Sequence, residues 1–165
     1  RPGAGATSKA TVRPVTTGPG GVFNLRLPAG TSRRVTVGFT GDRQNAASSA
    51  GPLRLGVTGS ISFTARPDRL RTGQTVRFSG RVRSGTARYP SRGNFVAIRY
   101  FEQGSRKWRP VLVTRTDRFG SYRASYRFRY ITGMAKIRLR ATLLPSQSFP
   151  YLPADSPVRS VRAHG

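Results

Sequence analysis

The chain has no cysteine, a single histidine and five acidic residues among 165. Without cysteine, disulfides, thiol chemistry and cysteine-ligated zinc or iron–sulfur sites are excluded. His164 is penultimate, and a fraying terminus holds a general base poorly. The acids are scattered over different predicted loops and strand ends: Asp42, Asp68, Glu102, Asp117 and Asp155. The sequence therefore predicts no catalytic residue, no metal site, no cofactor and a protein that is not an enzyme.

Long apolar runs and helical periodicity are also missing. No apolar stretch approaches the roughly 20 residues of a membrane-spanning helix. No segment of ten residues repeats apolar positions at the spacing of an amphipathic helix. The first residues, Arg1-Pro2-Gly3, resemble neither a signal peptide nor an initiator methionine, so we expect a fragment or a processed product.

Positive charge is what the chain has in excess. Thirty Lys and Arg residues against five acids give a formal net charge of +25, and the great majority of the basic residues are arginines. Such a surface attracts polyanions. A compositional origin, the arginine usage of a GC-rich genome with a solvated basic face, explains the same count and stays open.

Alternation of apolar and polar residues with period two runs through most of the chain, which predicts antiparallel strands with one buried and one solvated face. Strands are predicted at about 60–65, 74–83, 94–102, 107–115, 122–130, 135–143 and 157–162, and in the first part at 11–16, 21–27, 33–40 and 52–57. The 19 Gly and 12 Pro residues fall mostly between these runs. Seven short strands in about 100 residues match an immunoglobulin-like or fibronectin-III-like sandwich.

A turn-and-strand segment occurs twice, as TRTDRFGSY at 114–122 and TTGPGGVF at 16–23. In the longer copy the turn residue Asp117 is expected to accept hydrogen bonds from the amides that follow it. We predict an all-β chain: residues 1–57 form the last four strands of one module, and 58–165 form a complete seven-stranded antiparallel sandwich. The three missing strands lie upstream, are replaced by folding onto the neighbour, or come from an acidic partner protein that donates a strand.

The sequence also resembles a known group of repeats. The segments that carry the likeness are RLRTGQTVRFSGRV at 69–82, WRPVLVTRTDRFGSY at 108–122, FPYLPADSP at 149–157 and LRLPAGTSR at 25–33. They are similar to the tandem Ig-like or carboxypeptidase-regulatory-like (prealbumin-like) domains of secreted actinobacterial proteins. The resemblance implies a β-sandwich that serves as a spacer, an adhesion element or a surface-display module.

Arginine stripes are the strongest candidate for a binding surface. We expect Arg127 and Arg129 to face the same way as Arg138 and Arg140 on a neighbouring strand, with Arg123 on the same face. Like charges directly opposite across a sheet are destabilising unless an anion intervenes. These five arginines are the predicted polyanion-binding residues, and no nucleic-acid-reading motif accompanies them.

Two groups of aromatic residues are predicted. Tyr122, Tyr126, Phe128 and Tyr130 are expected to share a core face against Ile137 and Leu139. Trp108, Tyr89 and Tyr151 lie near predicted loops or strand ends. They are candidates for stacking on a sugar ring, with a core position for the tryptophan as the alternative.

These observations lead to two hypotheses of different classes. In the first, the chain is a non-catalytic structural module at the cell surface or secreted, for spacing, adhesion or assembly, with a basic face that suits anionic envelope polymers. In the second, it is a carbohydrate- or polyanion-binding accessory domain of a larger secreted enzyme. Salt-sensitive binding would favour electrostatic recognition, and loss of binding on Trp108→Ala would favour the second hypothesis.

Overall fold

The computed structural model describes residues 10–83, 85, 89–146 and 148–165. Its secondary structure is almost entirely β, apart from a short 3-10 turn at Pro19–Gly21. The strands are β1 (Arg33–Phe39), β2 (Ser48–Leu55), β3 (Ser60–Ile61), β4 (Thr64–Arg66), β5 (Arg69–Arg71), β6 (Thr75–Arg83), β7 (Phe95–Glu102), β8 (Lys107–Arg115), β9 (Ser121–Arg127), β10 (Met134–Leu143), β11 (Ala154–Asp155) and β12 (Arg159–His164). In the part of the chain described, no helix is long and apolar enough to cross a membrane.

Strands β3 to β12 form two sheets. The larger has the order β5-β12-β10-β7-β8, with the short β11 also paired to β10. In the smaller, β6 is central, with β3 and β4 along one edge and β9 along the other. All pairs are antiparallel except β5 with β12, which is parallel. The predicted all-β sandwich is confirmed.

The core lies between these two sheets and consists of the alternate side chains that the sequence pattern directs inward. Both sheets contribute: Ile61, Ala65, Leu70, Val76, Phe78, Val82, Val96, Ile98, Tyr122, Leu139, Ala141, Leu143, Val161 and Ala163 are all buried. Burying a large aliphatic or aromatic side chain contributes about 1.5–3 kcal/mol. Because inward and outward positions alternate along most of these strands, the arginines between these residues are directed to the outer faces.

Residues 10–57 are different, since none of them is buried. The strands in this part are β1 and β2, which pair only with each other, antiparallel. Several apolar side chains of the segment are exposed, among them Val22, Phe23, Val37, Phe39 and Leu53. The segment touches the sandwich at few places, including the amide of Ser32, which donates to the carbonyl of Pro150 at 2.9 Å.

Several strand boundaries differ from the prediction. Residues 11–16 and 21–27 were expected to be strands, but the structure has no strand between residues 10 and 32. The strand predicted at 122–130 ends at Arg127, and the short β5 and β11 were not predicted. Alternation measures whether a segment suits a sheet, but a strand also needs a partner for its backbone groups. For 11–16 and 21–27 the structure provides none.

Candidate polyanion-binding face

The outer face of the larger sheet is covered by basic side chains. On β10 the buried Leu139 and Ala141 alternate with Arg138 and Arg140, so the two arginines point away from the core. The same alternation on β12, with Val161 and Ala163 buried, directs Arg162 outward. On β5 Leu70 is buried, and the flanking Arg69 and Arg71 are exposed.

Three cations of this face, two arginines and a lysine, occupy neighbouring positions across the sheet. Lys136 on β10 is in register with Arg162 on β12, and Arg162 is in register with Arg69 on β5. We call Arg69, Arg162 and Lys136 the basic row. Neighbouring strands are about 4.8 Å apart, so the backbone positions of adjacent members of the row are closer than the screening length of about 8 Å at physiological salt.

No carboxylate of the described residues forms an ion pair with a member of the basic row. The described residues form two ion pairs, Arg109 with Glu102 at 3.0 Å and Arg140 with Asp155 at 2.9 Å, and neither includes a member of the row. Directly opposed like charges destabilise a sheet by a few tenths of a kcal/mol to about 1 kcal/mol. An anionic group placed over the row would relieve this repulsion.

The other end of the same outer face combines arginine with aromatic rings. The guanidinium of Arg140 lies 4.2 Å from the centre of the Trp108 ring, and that of Arg138 lies 4.7 Å from the centre of Phe101. Phe101 and Trp108 themselves meet edge to face, 5.3 Å apart. Cation–π contacts of this kind contribute about 0.5–1 kcal/mol each at exposed sites. At this end of the face, the two guanidinium groups are therefore already in contact with aromatic rings.

Arg140 is the most strongly fixed of these arginines. Besides the Trp108 ring it contacts Asp155, whose other oxygen accepts a hydrogen bond from the Thr142 hydroxyl at 2.6 Å. Arg99 lies directly opposite Arg140 on β7. The Nε atoms of Arg99 and Arg140 are buried without a hydrogen-bond partner. Among the described residues Asp155 forms an ion pair with Arg140 and Arg99 forms none, so the local charge stays positive.

The five predicted polyanion-binding arginines do not form one stripe. The prediction placed Arg123, Arg127 and Arg129 beside Arg138 and Arg140, but β9 pairs with β6 in the smaller sheet. Arg123 and Arg127 therefore lie on the opposite outer face, across from Ser79 and Thr75, and Arg129 lies beyond the end of β9. The chain changes sheets between β9 and β10, which alternation along a single strand does not reveal.

The three predicted glycan-stacking residues do not form one platform either. Trp108 lies on the outer face, where Arg140 covers its ring. Tyr89 and Tyr151 instead pack against the core through Phe149, with ring centres 6.3 Å and 5.1 Å from it. The Tyr89 hydroxyl donates to the Val82 carbonyl at 2.8 Å. The structure therefore separates the tryptophan from the two tyrosines, and packs the latter as structural residues.

The four aromatic residues that were predicted to share a core face differ in their burial. Tyr122 is buried and Phe128 is partly buried against the core, as expected. Tyr126 and Tyr130 are 38% and 94% exposed, so the prediction that all four pack inward was wrong. Because β9 ends at Arg127, the apolar–polar alternation of the sequence beyond that residue no longer determines which side chains face the core.

Most carboxylates of the chain maintain local structure. Asp42 accepts from the amides of Gln44 and Asn45, which lower its pKa, and a hydrogen bond from Ser105 is the main cause of a lowered pKa at Glu102. Asp117 accepts from the amides of Phe119 and Ser121, which confirms the predicted turn. Among the described residues, no three His, Cys, Asp or Glu side chains come together in a way that could hold a metal ion.

Sequence reasoning missed the basic row. Lys136 and Arg162 each lie on a predicted strand, but Arg69 was assigned to a turn region because the run 69–71 is too short to show alternation. The row exists because β12 lies between β10 and β5. The parallel pairing of β5 with β12 joins positions more than 90 residues apart, and no local signal in the sequence indicates it.

In comparisons with known proteins, no family model matches the chain, and no curated protein matches it. The class that the fold defines is an all-β sandwich.

Proposed function

We propose that this chain is a non-catalytic structural module of a secreted or cell-surface protein, and that the outer face of its larger sheet binds anionic envelope polymers. The basic row is the observation that carries the proposal. Three cations held in register, with no ion pair to any carboxylate in the described part of the chain, form an arrangement that a polymer of repeated negative charges stabilises. The sequence resemblance to tandem repeats of secreted actinobacterial proteins supports the location and the spacer or adhesion role.

Strand order supports an Ig-like type for the sandwich. A three-strand-wide sheet of β3/β4, β6 and β9 faces a sheet of β5, β12, β10, β7 and β8, with the connection from β9 to β10 crossing between them. Loops at the two ends of such sandwiches vary freely, whereas the sheet faces are rigid. A rigid face suits repetitive, low-specificity contacts with a polymer better than recognition of a single small ligand.

The way four of the five acidic side chains are used supports the proposed absence of catalysis. Asp42 and Asp117 stabilise turns, Glu102 holds Ser105 and Arg109, and Asp155 holds Thr142 and Arg140. An acid or base that works in catalysis needs an unengaged proton site facing a substrate. These four carboxylates are engaged in maintaining the fold.

Binding to a poly(glycerol phosphate) chain, measured by calorimetry against an uncharged polysaccharide, tests the proposal. The triple variant Arg69→Ser/Lys136→Ser/Arg162→Ser should lose affinity for the phosphate polymer by at least about tenfold at low salt, since each phosphate contact releases counterions. The matched control, Arg13→Ser/Arg43→Ser/Arg92→Ser, removes the same charge from exposed positions outside the sheets and should bind like the unmodified chain. An equal loss of affinity in both variants would show that only the net charge of the chain matters, and would contradict the proposal.

The accessory-domain alternative is tested in the same experiment. Tight, salt-insensitive binding of the uncharged polysaccharide that disappears in Trp108→Ala would favour it. The structure makes this less favourable, because Arg140 occupies one face of the Trp108 ring and would have to leave before a sugar could stack there.

A further inference from the structure

A cleft at the end of β9 lies apart from the larger sheet and its basic row. It has a volume of about 480 Å³ and is lined by six consecutive residues, 125–130. After Ser125, aromatic residues and arginines alternate along it: Tyr126, Arg127, Phe128, Arg129 and Tyr130. We call residues 126–130 the YRFRY segment. It lines a single cleft with three aromatic rings and two guanidinium groups.

The turn between β5 and β6 holds the YRFRY segment in place, although β9 ends within the segment. The carbonyl of Phe128 accepts a hydrogen bond from the amide of Gly73 at 2.7 Å, and the carbonyl of Ile131 accepts from the Thr72 hydroxyl at 3.1 Å. The Arg127 guanidinium donates to the carbonyl of Gly73. The backbone that carries the rings is therefore fixed in advance, and a fixed site loses less conformational freedom when a ligand binds.

Two of the three rings in the cleft are open to a ligand. Tyr126 is 38% exposed and Tyr130 94%, whereas Phe128 packs partly against the core. Tyr126 and Phe128 meet edge to face, with ring centres 4.9 Å apart and planes at 75° to each other. Phe128 thus belongs to the fold and supports the ring of Tyr126, which leaves Tyr126 and Tyr130 as the rings that a ligand can reach.

A track of arginines crosses the outer face of the smaller sheet and reaches this cleft. Arg66 on β4 is in register with Arg77 on β6, and Arg77 is in register with Ser125, which lines the cleft. Arg123 and Arg127 lie on either side of Ser125, at the neighbouring outward positions of β9. These four arginines, the arginine track, are exposed, and none takes part in the two ion pairs of the described residues. The track therefore places positive charge beside the exposed rings.

We infer that the YRFRY segment and the arginine track bind single-stranded nucleic acid without reading its sequence. A single strand combines repeated phosphates with bases whose faces are open, and proteins bind such strands through a basic surface and aromatic rings on which the bases stack. Both residue types of the segment suit this ligand, because arginine guanidinium planes also stack on bases. A duplex keeps its bases stacked inside and would meet the arginines alone.

Other anionic polymers use fewer of these groups. A poly(glycerol phosphate) chain has no ring to place against Tyr126 or Tyr130. A sugar ring packs best on an open, flat platform, which two rings at 75° to each other do not form. The bases of a single strand can be splayed out onto rings of different orientation. The inference is separate from polymer binding by the basic row, which lies on the outer face of the other sheet.

Fluorescence anisotropy with labelled strands tests the inference. The probes are oligothymidylate and oligouridylate of about 15 nucleotides, and an abasic deoxyribose phosphate strand of the same length and charge. The unmodified chain should bind the better of the two base-carrying strands at least about fivefold more tightly than the abasic strand, because stacked bases add to the phosphate contacts. Which of the two binds more tightly shows whether the site takes DNA or RNA.

The double variant Tyr126→Ala/Tyr130→Ala should lose the preference for bases and keep its affinity for the abasic strand, since every arginine remains. Tyr130→Ala alone changes a side chain that is 94% exposed and should lower the preference in an unperturbed fold. The matched control, Phe39→Ala/Phe119→Ala, removes two exposed rings from β1 and from a turn, and should keep the full preference.

Equal affinity of the unmodified chain for base-carrying and abasic strands would overturn the inference. An equal loss of the preference in both double variants would also overturn it, because the effect would then not depend on the cleft. Tighter binding of polygalacturonate than of either oligonucleotide, lost in Tyr126→Ala/Tyr130→Ala, would overturn it as well and would identify an acidic glycan as the ligand.

Discussion

At the scale of single residues, Tyr122 links the two edges of the smaller sheet, which lie on either side of β6. It is 2% exposed, and its hydroxyl donates to the Ser62 carbonyl at 2.6 Å, which links β9 to the segment between β3 and β4. Removing the hydroxyl in Tyr122→Phe leaves that carbonyl without its partner, so the free energy of unfolding should fall by about 1–3 kcal/mol. Urea unfolding at neutral pH measures the change. Tyr130→Phe, at a 94% exposed position, should be unchanged, and equal stability of both variants would contradict the assignment.

Tyr122 also predicts how stability depends on alkaline pH. Burial raises the pKa of its phenol above the ordinary value of 10.0. A group whose pKa is raised on folding contributes stability below its unfolded pKa and loses that contribution as pH rises. Above about pH 10 the unmodified chain should therefore lose stability relative to Tyr122→Phe. Parallel unfolding curves from pH 8 to 11 test this, and a constant difference between the two chains would contradict it.

The turn at Asp117 is the second residue-level feature that can be tested. Its carboxylate accepts from the amides of Phe119 and Ser121 at 2.8 and 2.9 Å, and Gly120 takes a φ of 78° that other residues rarely adopt. Asp117→Ala should lower the free energy of unfolding by about 1 kcal/mol. Thermal unfolding measures it, with Gln103→Ala, an exposed side chain of another loop, as the control. No difference between the two variants would show that the turn forms without the carboxylate.

At the scale of elements, alternation in the sequence identified most strands of the sandwich and the direction of their side chains. Val76, Phe78 and Leu139 are buried as the pattern indicates. Alternation does not carry the order of strands in a sheet, because that depends on pairing between distant segments. For this reason Arg127 and Arg138 were predicted side by side, although the structure places them on opposite outer faces.

The basic row predicts that removing a charge stabilises the fold. Arg162 is flanked by Lys136 and Arg69, so Arg162→Ser should raise the free energy of unfolding by about 0.2–1 kcal/mol at low salt. The gain should shrink as salt screens the row. Denaturant unfolding at two salt concentrations measures both effects, against Arg43→Ser in an exposed loop. A destabilised Arg162→Ser would show that its charge is already compensated.

The aromatic end of the same face can be followed through Trp108, the single tryptophan of the sequence. Arg140 covers its ring at 4.2 Å, so Arg140→Ala should expose the ring and increase quenching of its fluorescence by acrylamide. Arg115→Ala is the matched control, because that guanidinium lies over Phe95 instead, 3.9 Å from its centre. Unchanged quenching in Arg140→Ala would mean that the two side chains do not stay in contact in solution.

At the scale of the whole molecule, charge is distributed over both outer faces of the sandwich. The smaller sheet carries Arg77, Arg81 and Arg123, and the larger sheet carries the basic row and its neighbouring arginines, so both faces are positively charged. Thirty basic residues face five acids, so a net charge of +25 remains whichever ion pairs form. Moderate salt should therefore raise the melting temperature of the chain before any ligand is added. A melting temperature that falls between about 0.05 and 0.5 M salt would contradict this.

The salt dependence of polymer binding tests the central claim most directly. The slope of log affinity for poly(glycerol phosphate) against log salt concentration reports the number of phosphate charges neutralised, at about 0.7 per contact for a flexible single chain. The slope for Arg69→Ser/Lys136→Ser/Arg162→Ser should be shallower than that of the unmodified chain by about two, if each member of the row meets one phosphate. The charge-matched variant Arg13→Ser/Arg43→Ser/Arg92→Ser should keep the full slope. Equal slopes in the two triple variants would contradict the assignment of the basic row as the binding site.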